Sequence, residues 1–335
     1  MRASDLLHPR PEGLYCPPGD FHIDPVRPVA RALVTHGHAD HARPGHGAVL
    51  ATAETLDIMA IRFGGDHAAS TQVAEPARPV VIDGVEVTFF PAGHVLGSAQ
   101  ILVEHKGMRI VASGDYKRRA DPTCAPFEVV PCDVFITEAT FGLPVFTHPD
   151  DRGEIGKLLR SLTTFGERTH LVGAYSLGKA QRLIRLIREA GHAEPIYIHG
   201  AFARLCDYYE SRGAALGPLL PATTDDARAD FAGRLVLGPP SAFSGPWSRR
   251  FSDPLVCYAS GWMRIRQRAR QQGVELPMIV SDHADWPELT RTIRDTGAGE
   301  VWVTHGREEA LVRWCGLNGI AATPLNIVGY EEENE

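Results

Sequence analysis

Apolar residues fall in short runs along this chain, and most runs end in a side chain able to do chemistry. Val29-Ala30-Arg31-Ala32-Leu33-Val34 reads as a strand delivering the loop Thr35-His36-Gly37-His38-Ala39-Asp40-His41. Ala48-Val49-Leu50-Ala51 is a second short strand, and Thr52 caps a helix that runs to Phe63 and stops at Gly64-Gly65. Two hairpins follow: Val80–Ile82 and Val85–Phe90 flank Asp83-Gly84, while Gln100–Glu104 and Met108–Ala112 flank Lys106-Gly107. The first leads to Pro91-Ala92-Gly93-His94 and the second to Ser113-Gly114-Asp115; a further strand, Asp133–Thr137, ends at Glu138.

From about residue 150 to 270 the pattern changes to alternating helices and strands. Helices are expected over Arg152–Phe165, Gly178–Ala190 and Ala203–Arg212, between extended segments at His170–Gly173, Pro195–Ile198, Leu235–Leu237 and Leu255–Tyr258, the mark of a small parallel α/β unit. The last stretch returns to the earlier style. Met278–Val280 leads to Ser281-Asp282-His283, Val301–Val303 leads to Thr304-His305, and helices are expected over Trp286–Asp295 and Arg307–Cys315. Glu331–Glu335 reads as a solvated acidic tail.

A length of 335 residues implies two domains, or one large domain with an insertion. No apolar stretch approaches the ~20 residues of a membrane helix, and the N-terminus has no apolar core for a secretory signal, so a cytoplasmic protein with no membrane partner is expected. Six scattered cysteines form no CxxC pair, which argues against a thiolate zinc site. The net charge of -7 argues against coating nucleic acid by bulk electrostatics. It leaves open a nuclease that uses a local basic groove.

Imidazole and carboxylate are ligands for zinc or a similar divalent ion, and the histidine loop holds three imidazoles and an acid within six residues. So short a loop cannot aim His36, His38, Asp40 and His41 at a single small ion, and two adjacent ions fit better. Strand ends also carry His94, Asp115, Glu138, His283 and His305; if these strands share a sheet, their ends converge on one edge. Asp24, before Pro25, is either a turn former or a support for the histidine loop. Lys179 at a helix start is either a phosphate contact or a solvated residue. Arg264, Arg266, Arg268 and Arg270 either track a nucleic-acid backbone or form an ordinary exposed face.

Taken together, the set from His36 to His305 resembles the metallo-β-lactamase superfamily, and Glu138, His283 and His305 resemble its β-CASP branch of nucleases. Its loop lengths are most similar to those of the small bacterial DNA-ligase-associated exonucleases. The resemblance implies an αββα sandwich in two parts, 1–148 and 271–335, with an inserted α/β β-CASP domain over 149–270. It implies two divalent ions, zinc first and manganese second: His36, His38 and His94 on one, Asp40, His41 and His305 on the other, and Asp115 bridging. Asp40 would also accept a proton, His283 would contact the scissile phosphate, Glu138 would orient a ligand histidine, and Asp24 matches an early structural acid. Lys179, Arg264 and Arg266 are the candidate nucleic-acid contacts. The implied activity is a repair exonuclease on single-stranded DNA or DNA ends, beside a ligase and a helicase. The alternative is an RNA-processing nuclease, which the histidine at position 305 favours.

Overall fold

The computed structural model describes residues 1–222 and 231–325; the expected acidic tail lies outside them. The chain divides into two compact units, one of residues 1–147 with the described residues from His283 onward, the other of residues 148–282.

The first unit holds two sheets. One runs in chain order, β1 (His8–Arg10), β2 (Gly13–Cys16), β3 (Phe21–Ile23), β4 (Arg31–Leu33), β5 (His46–Ala51) and β6 (Ala68–Val73). The other contains β7 (Val80–Ile82), β8 (Val85–Pro91), β9 (Ala99–His105), β10 (Met108–Ala112) and β11 (Val134–Ala139). Both hairpins turn where expected, at Asp83-Gly84 and Lys106-Gly107.

Successive side chains of a strand point to opposite faces. Ile101, Val103, Ile110 and Ile136 accordingly share one core with Leu14, Phe21, Ile23 and Leu33 of the other sheet. Their neighbours Leu102, Val111 and Phe135 fall in a second core, with Leu289 and Ile293 of a helix at Trp286–Thr296 and Leu311 and Cys315 of another at Glu308–Leu317. On the far face of the first sheet, Val34, Val49 and Ala51 pack with Leu56 and Met59 of the helix Ala53–Phe63, whose N-cap is Thr52. The two sheets thus face each other across a shared core, and each outer face carries helix.

The second unit is an all-parallel sheet in the order β14-β13-β15-β12-β16-β17, formed by β12 (His170–Gly173), β13 (Ile196–Ile198), β14 (Leu219–Pro221), β15 (Leu235–Gly238), β16 (Leu255–Ala259) and β17 (Leu276–Met278). Helices Asp151–Thr164, Lys179–Glu189 and Gly200–Ser211 alternate with its strands. The expected boundary near residue 270 differs from this arrangement: β17 pairs with β16, so the second unit continues to Asp282. No helix among the described residues is long and apolar enough to cross a membrane.

The remaining strands of the first unit's second sheet, β18 (Glu300–Gly306) and β19 (Ala321–Pro324), complete the order β19-β18-β11-β10-β9-β8-β7. Its pairing fixes direction. β8 and β10 are both antiparallel to β9, and β11 is parallel to β10 and to β18, so β8, β10, β11 and β18 all end at one edge. Every residue of central β11 is buried, as expected for a strand covered on both faces.

Phe135 is fully buried there, and Phe135→Ala should cost about 3–5 kcal/mol in chemical denaturation. A loss below about 1 kcal/mol would mean that this face of the sheet is not the close-packed core described.

Candidate metal centre

The loop after β4 and the ends of β8, β10, β11 and β18 bring His36, His38, His41, His94, Asp115, Glu138 and His305 together with His283. Three groups have ligand atoms within 4.8 Å of one another: His36, His38, His94 and Asp115; His41, Asp115 and His305; and Asp115, Glu138 and His283. Asp115 belongs to all three. Its Oδ2 lies 3.5 Å from His36 Nε2, 3.4 Å from His41 Nε2 and 3.7 Å from His94 Nε2. Asp40 sits beside the second group, its Oδ2 3.6 Å from His41 Nε2.

The backbone is shaped for this convergence. The β11–β18 register shifts between Glu138 and Ala139, pairing Glu138 with Thr304 and Ala139 with Gly306, so His305 is the extra residue of a bulge. It takes a left-handed conformation, φ 58°, rare outside glycine, and such a bulge re-aims a side chain. Gly93, before His94, has φ 72°, and a Cβ there would run into the Lys117 carbonyl.

Asp24 explains how two of the rings are held. Its carboxylate accepts from the Thr35 backbone N–H (2.8 Å), the Thr35 hydroxyl (2.6 Å) and His41 Nδ1 (2.8 Å). With the Thr35 proton directed to Asp24, Thr35 Oγ1 accepts from His36 Nδ1 at 3.1 Å. Both rings therefore use Nδ1 as a hydrogen-bond donor and turn Nε2 toward the cluster, the orientation a cation needs. Glu138, fully buried, accepts from Tyr116 N (2.8 Å) and from His283 Nδ1 (2.9 Å). The histidine it orients is His283, which lies across from the end of β11.

The donor set fits divalent cations. His38 Nδ1 faces His36 Nε2 at 3.2 Å and His94 Nε2 at 3.0 Å, three ring nitrogens that cannot all carry protons. A tetrahedral zinc with ~2.0–2.1 Å bonds holds its nitrogens roughly 3.3 Å apart, close to that spacing. Burial and the nearby His41 and His94 push His36 well below its ordinary pKa. Burial, with His41, pushes His305 down to about 3. Both rings are neutral donors at physiological pH. Burial acts to lower His41, yet Asp115 and Asp40 hold it well above its ordinary range; the anionic side of the cluster draws positive charge. Burial acts to raise the Asp115 carboxyl, but His41 and His283 keep it well below the usual carboxylate range.

Sequence reading had no signal for several supporting residues. Arg62, in the last turn of its helix, donates to the Gly37 carbonyl between His36 and His38 (3.0 Å). Ser98 Oγ accepts from the backbone N–H of His94 (3.0 Å) and of Val95 (3.1 Å). The expected phosphate contact Lys179 is a correction: it is buried, with its ammonium 2.9 Å from Asp282, because the helix start it occupies is packed against that carboxylate. Arg264 and Arg266, also in the second unit, are exposed.

Asp24→Asn removes the charge behind His41 and Thr35 and should weaken divalent-ion binding about 10–100-fold with little change in melting temperature. Competition against a chromophoric chelator measures this; unchanged affinity would mean that Asp24 only shapes a turn.

No family model matches the chain. It is 27% identical over 319 residues to a protein named "Probable DNA ligase" from Opitutus terrae, covering 90% of this chain and 30% of that protein. It is 34% identical over 186 residues to endoribonuclease ysh1 of Aspergillus fumigatus, covering 51% and 20%. Over 132 residues it is 33% identical to cleavage and polyadenylation specificity factor 73 of Drosophila melanogaster, covering 37% and 19%. The chain thus spans between about a fifth and a third of the length of these relatives. Among solved structures, a protein of unknown function from Enterococcus faecalis shares the fold with TM-score 0.59 at 12% identity, covering 90% of this chain and 80% of that one.

Proposed function

The chain belongs to the β-CASP branch of the metallo-β-lactamase superfamily, and from that premise we propose that it is a dinuclear-metal phosphodiesterase, a DNA exonuclease acting on single strands or DNA ends. On this reading the first unit is the αββα sandwich and the second is the inserted β-CASP domain. The observation that carries the proposal is the shared position of Asp115 between two separate ligand groups. His36, His38 and His94 would hold one ion, Asp40, His41 and His305 the other, with Asp115 common to both; zinc suits this nitrogen-rich set and manganese is the second choice. Bound there, two divalent ions supply Lewis acidity to the phosphodiester and lower the pKa of a water.

The chain's own residues do the rest. Asp40 has the carboxylate to receive the proton that an attacking water loses. His283 is more accessible than three of the ligand histidines: its side chain is 24% exposed, whereas those of His36, His41 and His94 are at most 1% exposed. Glu138 takes the Nδ1 side of the His283 ring, and Nε2 is the nitrogen that would meet a scissile phosphate and protonate the leaving oxygen. Burial raises the Glu138 carboxyl above its ordinary range, which strengthens the hold of its hydrogen bond on the imidazole.

DNA as substrate, and a ligase as working partner, are supported by the relative named as a DNA ligase. A helicase of the same pathway and a cytoplasmic location complete the reading. The second reading, an RNA-processing nuclease, is favoured by the relatives named as endoribonucleases.

End-labelled single-stranded DNA and RNA of one sequence should distinguish them. The expected result is stepwise shortening of DNA, lost on chelation and at least ~100-fold slower in His283→Ala, in the range expected for a general acid. Preference for RNA would establish the second reading, and internal cleavage of DNA would overturn the exonuclease assignment. Full activity after removal of the metals would overturn both.

A further inference from the structure

We propose that Lys179 and Arg182 are positioning residues for His283: through the Asp282 carboxylate they fix the peptide that delivers the imidazole. The role of His283 rests on the nuclease reading above; the buried clamp behind it rests on geometry and burial.

Among the described residues the chain passes between the two units at Thr147–His148 and at Asp282–His283. Arg182, in the helix Lys179–Glu189, gathers both passages on the side of the second unit. One guanidinium nitrogen donates to the Asp151 carboxylate, shortly after the first passage. The other donates to the Ser281 carbonyl and lies 3.3 Å from Asp282 Oδ1, directly before the second. Lys179, one turn earlier on the same helix, places its ammonium 2.9 Å from Asp282 Oδ2. Upstream, the Ile279 N–H donates to the buried Glu154 carboxylate at 3.0 Å.

The side chains of Lys179, Arg182 and Asp282 are at most 4% exposed, and Arg182 is the largest fully buried side chain among the described residues. Apolar residues of the same volume would stabilise such a place as well or better, because every buried charge loses its hydration. What the charges supply is direction. A guanidinium is a planar fork with fixed donor angles, and Asp282 has both oxygens engaged, so its carboxylate is held against rotation.

His283 depends on that direction more than its neighbours do. His94 follows β8 and His305 lies in β18, both fixed by a sheet, whereas His283 stands in a connection between the short β17 and the helix Trp286–Thr296. Beyond it, Ala284 N donates to the Tyr116 carbonyl at 2.7 Å and Asp285 accepts from Arg119 at 2.7 Å. These contacts fix the residues after His283, and the clamp fixes the residue before it. The ring then meets Glu138 at 2.9 Å. Precision matters for a proton donor, since a misplacement of about 1 Å can cost ~100-fold in rate.

The test removes the Asp282 link while keeping charge balanced: Lys179→Met with Asp282→Ala leaves Arg182 on Asp151 and the Ser281 carbonyl. In zinc-loaded protein, kcat on oligothymidylate should fall ~10–100-fold with KM little changed. Hydrolysis of bis(p-nitrophenyl) phosphate should stay near the parent rate, because p-nitrophenolate leaves without taking a proton. Nitrogen-15 NMR reads the ring itself. The His283 Nδ1–H resonance, identified by its loss in His283→Gln, should be sharp and downfield in the parent and broadened in the double variant at unchanged melting temperature. Parent-like kcat and resonance in the double variant, or equal slowing of both substrates, would overturn the proposal. Should that variant not fold, the parent decides: the Ile279 and Val280 amides should exchange as slowly as those of β16, and fast exchange there would overturn it. A parent with the resonance and slow exchange that hydrolyses neither substrate would sink the nuclease reading and leave the clamp standing.

Discussion

The Asp115 carboxylate, 7% exposed and ringed by histidines, is the constraint on which the rest of the first unit depends. An anion that deep requires polar or charged partners, and four imidazoles, His36, His41, His94 and His283, lie 3.4–3.9 Å from it. Bringing them there explains the architecture: two sheets over a common core, four parallel strand ends at one edge, and a bulge that turns His305 inward. The backbone strain is local. Asp24 at φ 44° and His305 at φ 58° both occupy left-handed conformations, and both serve the cluster.

Around this centre, buried carboxylates fix ring orientation. Asp24 sets His41 directly and His36 through Thr35, while Glu138 sets His283. The difference between these pairs is chemical. Asp24 stands behind rings turned into the buried cluster, whereas Glu138 stands behind a ring that reaches solvent. On the proposed reading, a similar carboxylate–imidazole unit would support ligand binding in one place and proton transfer in the other.

Much of this was legible from residue order. Strands with clear period-two patterning, both Gly-containing hairpin turns and the helix capped by Thr52 stand where the sequence puts them. Strand β6 was not legible: nearly every residue of Ala68–Val73 is exposed and polar or small, so burial leaves no pattern to read. The end of the second unit was misplaced because β17, Leu276–Met278, is too short to register beside the return to histidine-bearing loops. Lys179 looked like a phosphate contact because its partner, Asp282, is 103 positions away in sequence, where only the fold brings it near. Arg62 and Ser98 act through backbone carbonyl and amide groups, contacts with no residue-type signature.

Because both ligand groups share one carboxylate, metal stoichiometry tests the account most directly. Native mass spectrometry of the protein loaded with zinc should find two ions on each chain, and Asp115→Asn, which keeps the shape and removes the charge, should lose both. A parent protein that retains no ion, or a variant that still retains two, would contradict it.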